Sequence, residues 1–446
     1  MIFMLSREEA LRAIRDLNFW GKAQDTGILR SDYVDQMAGL KAMEETTVLA
    51  GVRRGGKTTI ARQFLEHMIS QGTKKEQTLY VNFDEPIFNP HLSLELMDTI
   101  YEAYRERINI DEPAYIVFDE IQNITAWEKW VKSRQEKEKI KIIVSGSSSK
   151  LLSSEFSTAL SGRNIQMDIY PLSFPEFVSF KGDGIEKGKE FLEKRKLSSL
   201  LRQYVEFGGF PKVVLEAKDK KEMLLKEYFN GIVLRDVAAR YNIKETDILK
   251  ALATILCTYT SNSISIGKLA NLLSETFKQK TSLETISNYM HYMESAFFVF
   301  FVPVFSFRIK DQMKYPKKVY CIDCGLRNTV SFRFKEDLGR LYENAVFLEL
   351  KRNKKDMYYW KNEEGKEVDF ILKEGLKVTK AIQVCYNLRD PETREREVSA
   401  LVKCLEEFSL KEGMVITDEE ENEEKVEGKK LRYIPLWKWL FSSSEY

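Results

Sequence analysis

The sequence predicts an α/β protein. It begins with a doubly wound parallel sheet carrying a phosphate-binding loop, followed by a helical lid, a winged helix-turn-helix and a second α/β unit. Three observations support this fold class. Residues 51–58 read GVRRGGKT, which fits the Walker A pattern G-x-x-x-x-G-K-[ST] at every fixed position. Short apolar segments at 78–83, 114–118 and 140–144 alternate with helix-like stretches. Residues 265–302 then read as two short helices, a turn and a strand.

The predicted phosphate loop has the strand–loop–helix context that its chemistry needs. The apolar run 47–50 precedes it and the helix-like segment 59–65 follows. Successive backbone N–H groups of such a loop surround an anion at a helix N-terminus. Lys57 would reach the β- and γ-phosphates of ATP, and the Thr58 hydroxyl would ligate Mg²⁺. The residues predicted to bind the nucleotide are Gly51, Arg53, Arg54, Gly55, Gly56, Lys57, Thr58 and Thr59.

A second element of the same site is AYIVFDE at residues 114–120. A short apolar run bounded by polar residues is typical of a buried parallel strand. Asp119 would hold Mg²⁺ through water, while Glu120 would orient the attacking water or accept its proton. An apolar run ending in Asp-Glu is common in α/β proteins, but its position after a Walker A loop favours the catalytic interpretation.

Two further candidates follow the third strand. The segment 145–149 reads SGSSS, and a polar side chain at this strand end would sense the γ-phosphate. Ser145 is the first candidate and Ser147 the second; the alternative is a serine-rich turn that caps the next helix.

Arg163 is a candidate for the arginine that stabilises transition-state charge, which a neighbouring subunit often supplies. The alternative for Arg163 is a surface salt bridge. The other arginines considered for this role are Arg53, Arg54 and Arg240.

Composition limits the remaining functions only loosely. The 69 basic and 68 acidic side chains nearly cancel, so the net charge neither supports nor excludes a nucleic-acid partner. We find no signal peptide and no apolar stretch of 18 residues, and we therefore expect a cytoplasmic protein without a membrane partner. The segment 321–324 reads CIDC, the spacing of half a zinc site, but no second pair follows. Two small residues in a strand and turn are the simpler interpretation.

The predicted winged helix offers a candidate DNA surface. Its second helix, near 282–293, precedes the strand 297–302. This helix lacks Arg and Lys, although phosphate contacts normally supply much of the affinity for DNA. Interdomain packing alone is the alternative role. The residues that the helix would offer to duplex DNA are Thr285, Asn288, Tyr289 and Tyr292.

The chain divides into five predicted units. The last of them shows a helix at 340–350 and three strands at 357–360, 367–372 and 380–386. The units are 1–45, an N-terminal helical lead-in; 46–170, the P-loop ATPase domain; 171–245, the helical lid; 246–315, the winged helix; and 316–446, the C-terminal α/β domain.

Taken together, these segments resemble the archaeal AAA-superfamily ATPases that join a P-loop domain, a winged helix and a restriction-endonuclease-like C-terminal domain. The likeness depends on the joint occurrence of GVRRGGKTT, VFDEIQNI, VSGSSS, PLSFPEF, FGGFP, LRD, GRLYENAVFLEL, EVDFIL and IQVCY. Similar proteins are related to the origin-recognition type of ATPase. The resemblance implies ATP hydrolysis and a role on DNA or in a toxin–antitoxin-like defence.

The resemblance also implies four positions in the C-terminal domain. In active restriction-like nucleases, a helix carboxylate, a strand Asp and a Glu-x-Lys pair hold metal and water. Glu343 and Asp369 match the first two, whereas Gln383 stands where Glu is expected and Cys385 where Lys is expected. Because two of the four groups have lost their charge, the resemblance implies a degenerate domain in which the four side chains cluster without cutting.

The sequence therefore predicts Mg²⁺-dependent ATP binding and hydrolysis that rearranges the domains and is coupled to duplex DNA. Two alternatives stay open: an ATP-locked DNA-binding switch with negligible turnover, and an ATP-regulated nuclease. A homo-oligomer or a protein partner also stays open.

Overall fold

The structure, a computed structural model, describes residues 5–110, 112–146, 162–182, 193–331 and 338–442. The chain folds into two compact units, Met1–Ile169 and Tyr170–Tyr446. Ser147, the second sensor candidate, lies outside the described residues. Among the helices of the described ranges, none has the length and apolar character needed to span a bilayer.

The first unit contains the predicted parallel sheet. Its strands lie side by side in the order β2-β3-β4-β1-β5, and every neighbouring pair runs parallel. The carboxyl ends of all five strands therefore meet at one edge, which confirms the predicted P-loop-type sheet. The strands are β1 (Thr46–Gly51), β2 (Thr78–Asn82), β3 (Ala114–Asp119), β4 (Ile140–Ser145) and β5 (Asn164–Ile169).

Helices cover both faces of this sheet. Alternate residues of a strand point to opposite faces, so Leu79 and Val81 join one apolar core and Tyr80 joins the other. The first core includes side chains of α1, α4 and α5, and the second includes side chains of α2 and α3. The helices are α1 (Arg7–Arg15), α2 (Ser31–Gly39), α3 (Lys57–Ser70), α4 (Leu94–Arg107) and α5 (Trp127–Gln135).

The second unit opens with helices, as expected for residues 171–245. The FGGFP motif (207–211) lies at the junction of the second and third of them. The helices are α6 (Phe174–Phe180), α7 (Lys194–Phe207), α8 (Pro211–Leu215), α9 (Lys218–Asn230) and a π-helix (Gly231–Ala239).

The middle of the second unit combines helices with a three-stranded antiparallel sheet. β8 pairs with both β6 and β7, giving the order β6-β8-β7. Since β8 closes this sheet, the sheet extends beyond the expected domain boundary at residue 315. The elements are α10 (Thr246–Thr258), β6 (Ser263–Ile264), α11 (Ile266–Phe277), α12 (Leu283–Ser295), β7 (Val299–Val302), α13 (Ile309–Lys314), β8 (Lys317–Cys321) and α14 (Cys324–Val330).

The C-terminal part of the second unit contains a mixed six-stranded sheet in the order β13-β14-β12-β11-β10-β9. β11, β12 and β14 run parallel to one another, and the other pairs are antiparallel. The elements are α15 (Leu338–Arg352), β9 (Asp356–Lys361), β10 (Glu367–Glu374), β11 (Lys377–Val384), α16 (Pro391–Glu407), β12 (Glu412–Thr417), β13 (Asn422–Val426), β14 (Lys429–Pro435) and α17 (Leu436–Phe441).

A buried carboxylate connects the FGGFP segment to the start of α14. The Asp323 side chain accepts hydrogen bonds from the backbone N–H groups of Gly209 (2.6 Å) and Leu326 (2.8 Å). A Cβ atom at Gly208, whose φ is +76°, would lie 2.0 Å from Asp323 Oδ1, so only glycine fits there. Burial raises the pKa of Asp323 to about 6, although these backbone hydrogen bonds oppose the shift.

We expect the free energy of unfolding, compared with that of Asp323→Asn, to fall as the pH rises from about 4 to about 6. In this window the folded chain still holds a proton on Asp323, whereas the unfolded chain, with an ordinary pKa near 3.8, has released it. The expected change is on the order of 3 kcal/mol. Urea unfolding at several pH values measures it. The Asn variant keeps the side-chain acceptor but cannot ionise, and a pH-independent difference between the two proteins would contradict this assignment.

Candidate functional site

The phosphate loop lies between β1 and α3, at the carboxyl edge of the first sheet. Gly56 adopts φ +102°, a left-handed conformation that favours glycine. A Cβ atom at Gly51 would lie 2.1 Å from the carbonyl oxygen of Ile169 at the end of β5. The two glycines thus let the chain turn tightly beside its neighbouring strand, and α3 begins directly at Lys57.

Lys57 points back into the loop. Its ammonium donates hydrogen bonds to the carbonyl oxygens of Gly51 (2.9 Å) and Val52 (3.0 Å), and the residue is buried. The fixed cation is therefore held inside the curve of the loop, where the backbone N–H groups at the start of α3 also favour an anion.

Three hydroxyl groups converge on Asp119, which is 2% exposed at the end of β3. Thr58 Oγ1 donates to Asp119 Oδ2 at 2.7 Å, and the Tyr80 hydroxyl donates to the same oxygen at 2.9 Å. Ser145 Oγ donates to Asp119 Oδ1. The structure thus brings Thr58, Asp119 and Ser145 together, as expected from the parallel order of β1, β3 and β4. Their catalytic roles stay a prediction.

Glu120 follows Asp119 and adopts φ +52°, a left-handed conformation that is costly for a residue with a Cβ atom. The Gln122 side chain donates a hydrogen bond to its carboxylate. Burial, followed by the charge of Asp119, raises the pKa of Glu120, while Lys57 and Arg53 lower it to a smaller extent. A carboxylate with a raised pKa is a stronger base, as a group that takes a proton from water requires.

Arg163, the candidate for the arginine that stabilises transition-state charge, lies far from the phosphate loop of its own chain. Arg163 precedes β5, and its carbonyl oxygen accepts a hydrogen bond from Thr46 N (3.1 Å) at the amino end of β1. The loop lies at the other end of β1, about 16 Å away at the usual rise of a strand. The Arg163 guanidinium instead forms an ion pair with Glu136 at 2.6 Å.

Sequence reasoning missed two residues beside the loop. Tyr80 lies on β2, and nothing in the sequence distinguished its hydroxyl from that of any buried tyrosine. Arg30, just before α2, is 1% exposed, and its guanidinium donates to the carbonyl oxygen of Gly55 at 2.8 Å. It also lies 4.7 Å from the centre of the Tyr33 ring. Arg30 therefore fixes the loop from a segment that carries no motif.

The predicted DNA-contacting face of α12 needs correction. Tyr289 is only 8% exposed and therefore packs inward rather than facing a partner. The Thr285 hydroxyl lies 2.9 Å from that of Ser282 at the start of the helix. Of the residues predicted to contact DNA, only Asn288 has an exposed side chain, and Ser287 and His291 are exposed beside it. Positions one turn apart share a face, and the packing face of α12 includes 286, 289, 290 and 293.

The C-terminal carboxylates form a cluster around a cation that sequence reasoning missed. Lys318 of β8 is 2% exposed. Its ammonium lies 3.0 Å from Glu343, 2.9 Å from Glu367 and 2.8 Å from Asp369. Tyr320, two residues further along the strand, donates to Glu343 at 2.7 Å. Burial by itself would lower the pKa of Lys318, but the carboxylates, Asp369 first, outweigh it and raise that pKa well above its usual value.

Gln383 and Cys385, which stand where active restriction-like nucleases have Glu and Lys, have different surroundings. The Gln383 side chain accepts a hydrogen bond from Asp369 N at 3.3 Å and donates to Glu397. The Cys385 thiol instead donates to the carbonyl oxygen of Asn387 at 3.6 Å and packs in an apolar core, and burial raises its pKa to about 11. The predicted four-residue cluster therefore contains Glu343, Asp369 and Gln383, while Cys385 makes no direct hydrogen bond to it.

Comparison with known proteins agrees with this architecture. Residues 43–178 match a family model described as an AAA domain. Residues 198–337 and 338–439 match two models described as domains of unknown function. These two models meet at 337/338 rather than at the expected boundary of 315/316. The first unit is thus an AAA-type P-loop domain.

An uncharacterized protein of Methanocaldococcus jannaschii is 38% identical over 404 residues, covering 88% of this chain and 87% of the relative. An uncharacterized protein of Haemophilus influenzae is 30% identical over 410 residues, covering 92% of this chain and 98% of the relative. The chain belongs to their family.

Among solved structures, a Walker-type ATPase of Pyrococcus abyssi matches with a TM-score of 0.44 and 13% identity, covering 68% of this chain and 96% of that protein. Because this score is below 0.5, the fold assignment depends on the sheet order and the loop geometry described above and not on this match.

Proposed function

We propose that the chain binds ATP with Mg²⁺ and hydrolyses it, and that the reaction cycle rearranges its domains and is coupled to duplex DNA. The convergence of the Thr58, Tyr80 and Ser145 hydroxyls on Asp119, directly beside the phosphate loop, supports the ATPase most strongly.

The loop residues from Gly51 to Thr59, Arg53 and Arg54 included, would surround the phosphates with backbone N–H groups. The Lys57 ammonium would exchange its bonds to the Gly51 and Val52 carbonyls for phosphate oxygens. This exchange is favourable because a charged donor bonds more strongly to a charged acceptor than to a neutral carbonyl.

Thr58 and Asp119 are the residues that would hold Mg²⁺. Their oxygen atoms lie 2.7 Å apart at the mouth of the loop, and a hydroxyl with a carboxylate is a donor set that suits this ion. Mg²⁺, when bound, would neutralise charge on the transferred phosphoryl group. Tyr80 and Ser145 would hold the Asp119 carboxylate in position, since each already donates to it.

Glu120 is the proposed base. Its raised pKa and its place next to Asp119 suit a carboxylate that orients water and takes its proton. Ser145, at the end of β4, is the proposed sensor of the γ-phosphate. Because Arg163 lies at the far end of its own sheet, a catalytic role for it requires a second copy of the chain.

The proposed coupling to DNA uses the middle of the second unit as a winged helix. The order α10-β6-α11-α12-β7-β8 supports this assignment, with α12 as the helix presented to DNA. A groove of about 580 Å³ lies beside the exposed face of α12 and includes Asn288 and His291 in its lining.

The two alternative functions make different predictions. An ATP-locked switch would bind ATP and DNA but release no phosphate over many turnovers, and steady-state phosphate release tests it. The nuclease alternative is disfavoured because Lys318 already bonds to Glu343 and Asp369, and both carboxylates are buried. Within the described ranges, no set of three or more His, Cys, Asp or Glu side chains is arranged to hold a metal ion.

We expect Lys57→Ala to lower ATP turnover by about 10²–10³-fold, because it removes the fixed positive charge that stabilises the transferred phosphoryl group. Affinity for a fluorescent ATP analogue should fall with it. Phosphate release and analogue titration measure the two effects. Lys41→Ala, at an exposed lysine in the same unit, is the matched control. Wild-type turnover in Lys57→Ala would refute the assignment of the phosphate loop.

A further inference from the structure

The connection between β7 and β8, residues 303–316, includes the short helix α13 and exposes apolar and basic side chains side by side. We call it the β7–β8 loop. Phe307 is 80% exposed and Ile309 is 73% exposed, which is costly for large apolar groups without a partner. Arg308 and Lys310 alternate with them along the chain and are exposed as well.

The loop and Lys317 together carry more positive than negative side chains. Lys314 and Lys317 extend the exposed cations to four. The single carboxylate, Asp311, accepts a hydrogen bond from Ser306 Oγ at 3.0 Å. The loop with Lys317 therefore offers four cations against one carboxylate, which suits an anionic partner.

The base of the loop is anchored, so its tip has a defined place. The Phe305 ring packs edge-on against Tyr358 (5.6 Å between centroids) and Phe408 (5.1 Å) of the same unit. Phe307 rests against Phe305 at 5.1 Å. The Gln312 side chain donates to the carbonyl oxygen of Ser306 at 2.7 Å. A surface that is already ordered loses less entropy when it binds.

The same loop forms one wall of the groove beside α12. Lys314, Lys317, Asn288 and His291 are among the residues that line this groove. Glu294 also lines the groove; burial raises its pKa, while its hydrogen bond from Phe301 N and the charge of Lys317 lower it to a smaller extent. The exposed face of α12 has no Lys or Arg, so the cations of this surface come from the loop.

We infer that the β7–β8 loop is the main DNA-binding element of this chain, with Arg308 and Lys310 on the phosphates and Phe307 inserted into the minor groove. The inference rests on the proposed coupling to duplex DNA. Cations bound to phosphates supply sequence-independent affinity, and apolar side chains inserted between base steps unstack and bend the duplex. An acidic protein partner would use the same cations, but it would give no unstacking of bases.

The test uses the full-length protein and a 30-base-pair duplex that carries 2-aminopurine as a reporter of unstacking. Fluorescence anisotropy at several salt concentrations gives the affinity and its salt dependence. We expect Arg308→Ala/Lys310→Ala to lower the slope of log K against log salt by about 2, since each lost phosphate contact removes about 0.9. Lys194→Ala/Arg195→Ala, an exposed basic pair elsewhere in the same unit, is the matched control and should keep the wild-type slope.

Phe307→Ser tests the contribution of the inserted ring separately from that of the charges. It should keep the wild-type salt slope but abolish the rise in 2-aminopurine fluorescence, whereas Leu376→Ser, at an even more exposed apolar residue, should change neither. If the wild type binds the duplex and none of the loop variants alters this binding, the inference is overturned but the coupling to DNA is not. A wild-type protein that binds no duplex would overturn both, while the ATPase is measured independently. If polyglutamate competes for the protein as strongly as duplex DNA does, the inference is also overturned, in favour of an acidic protein partner.

Discussion

Glu120→Gln is expected to bind ATP as the wild type does but to turn it over about 10²–10⁴-fold more slowly. Glutamine keeps the size of the side chain but cannot take a proton from water. Phosphate release gives the turnover, and a fluorescent ATP analogue gives the affinity. Because burial raises the pKa of Glu120, the acid limb of the wild-type pH–rate profile should lie above the usual glutamate range.

The control for this variant is Glu76→Gln, which neutralises an exposed carboxylate of the same unit. It should change neither turnover nor affinity. If Glu120→Gln turns over at the wild-type rate, Glu120 is not the base, and the strained conformation of this residue then serves another purpose. If it loses affinity as well as turnover, the carboxylate contributes to binding the nucleotide rather than to the chemical step.

Lys318→Met is expected to lower the free energy of unfolding by about 3–5 kcal/mol, the usual cost of breaking a buried ion pair from one side. The reason is that Glu343, Glu367 and Asp369 would be left close together without the cation that now lies within 3.0 Å of each. Urea unfolding monitored by circular dichroism measures the loss. Lys317→Met, at the exposed neighbour, should stay within about 0.5 kcal/mol of the wild type.

A companion variant tests the cause of this loss. Lys318→Met/Glu343→Gln removes one of the stranded charges and should recover part of the stability. Mg²⁺ should not raise the melting temperature of the nucleotide-free wild type. If it does, and if this rise is absent in Asp369→Ala, the assignment of Lys318 as the cation of the cluster is contradicted. The carboxylates would then hold a divalent ion in preference to the lysine.

The first unit was largely predictable because its signals are local. A buried parallel strand reads as an apolar run, and the phosphate loop requires its residue types at fixed spacing. Gly51, Gly56, Lys57 and Thr58 thus lie where the pattern put them. The parallel order of the strands then brought Asp119 and Ser145 to Thr58, since the carboxyl ends of such strands meet at one edge.

Other features depended on which side of an element faces the core. The spacing of α12 did not separate its packing face from its exposed face, so Tyr289 was assigned to a partner although it is buried. A lysine pair at 317 and 318 gave no sign that one ammonium is exposed and the other enclosed. The strand alternation places Lys318 and Tyr320 on one face, but only tertiary contacts show that this face meets Glu343.

The sequence by itself determined the class of the first unit, its phosphate loop and the carboxylates beside it, because glycine geometry and the chemistry of phosphate binding permit few residue types there. The tertiary structure alone decided the positions of Arg163, Tyr80, Arg30 and Lys318. Each of these side chains is ordinary in its local context, and the ion-pair or hydrogen-bond partner described for it above lies 25 or more positions away. Ion pairs and hydrogen bonds of this kind depend on where separate elements pack, and no local periodicity records that.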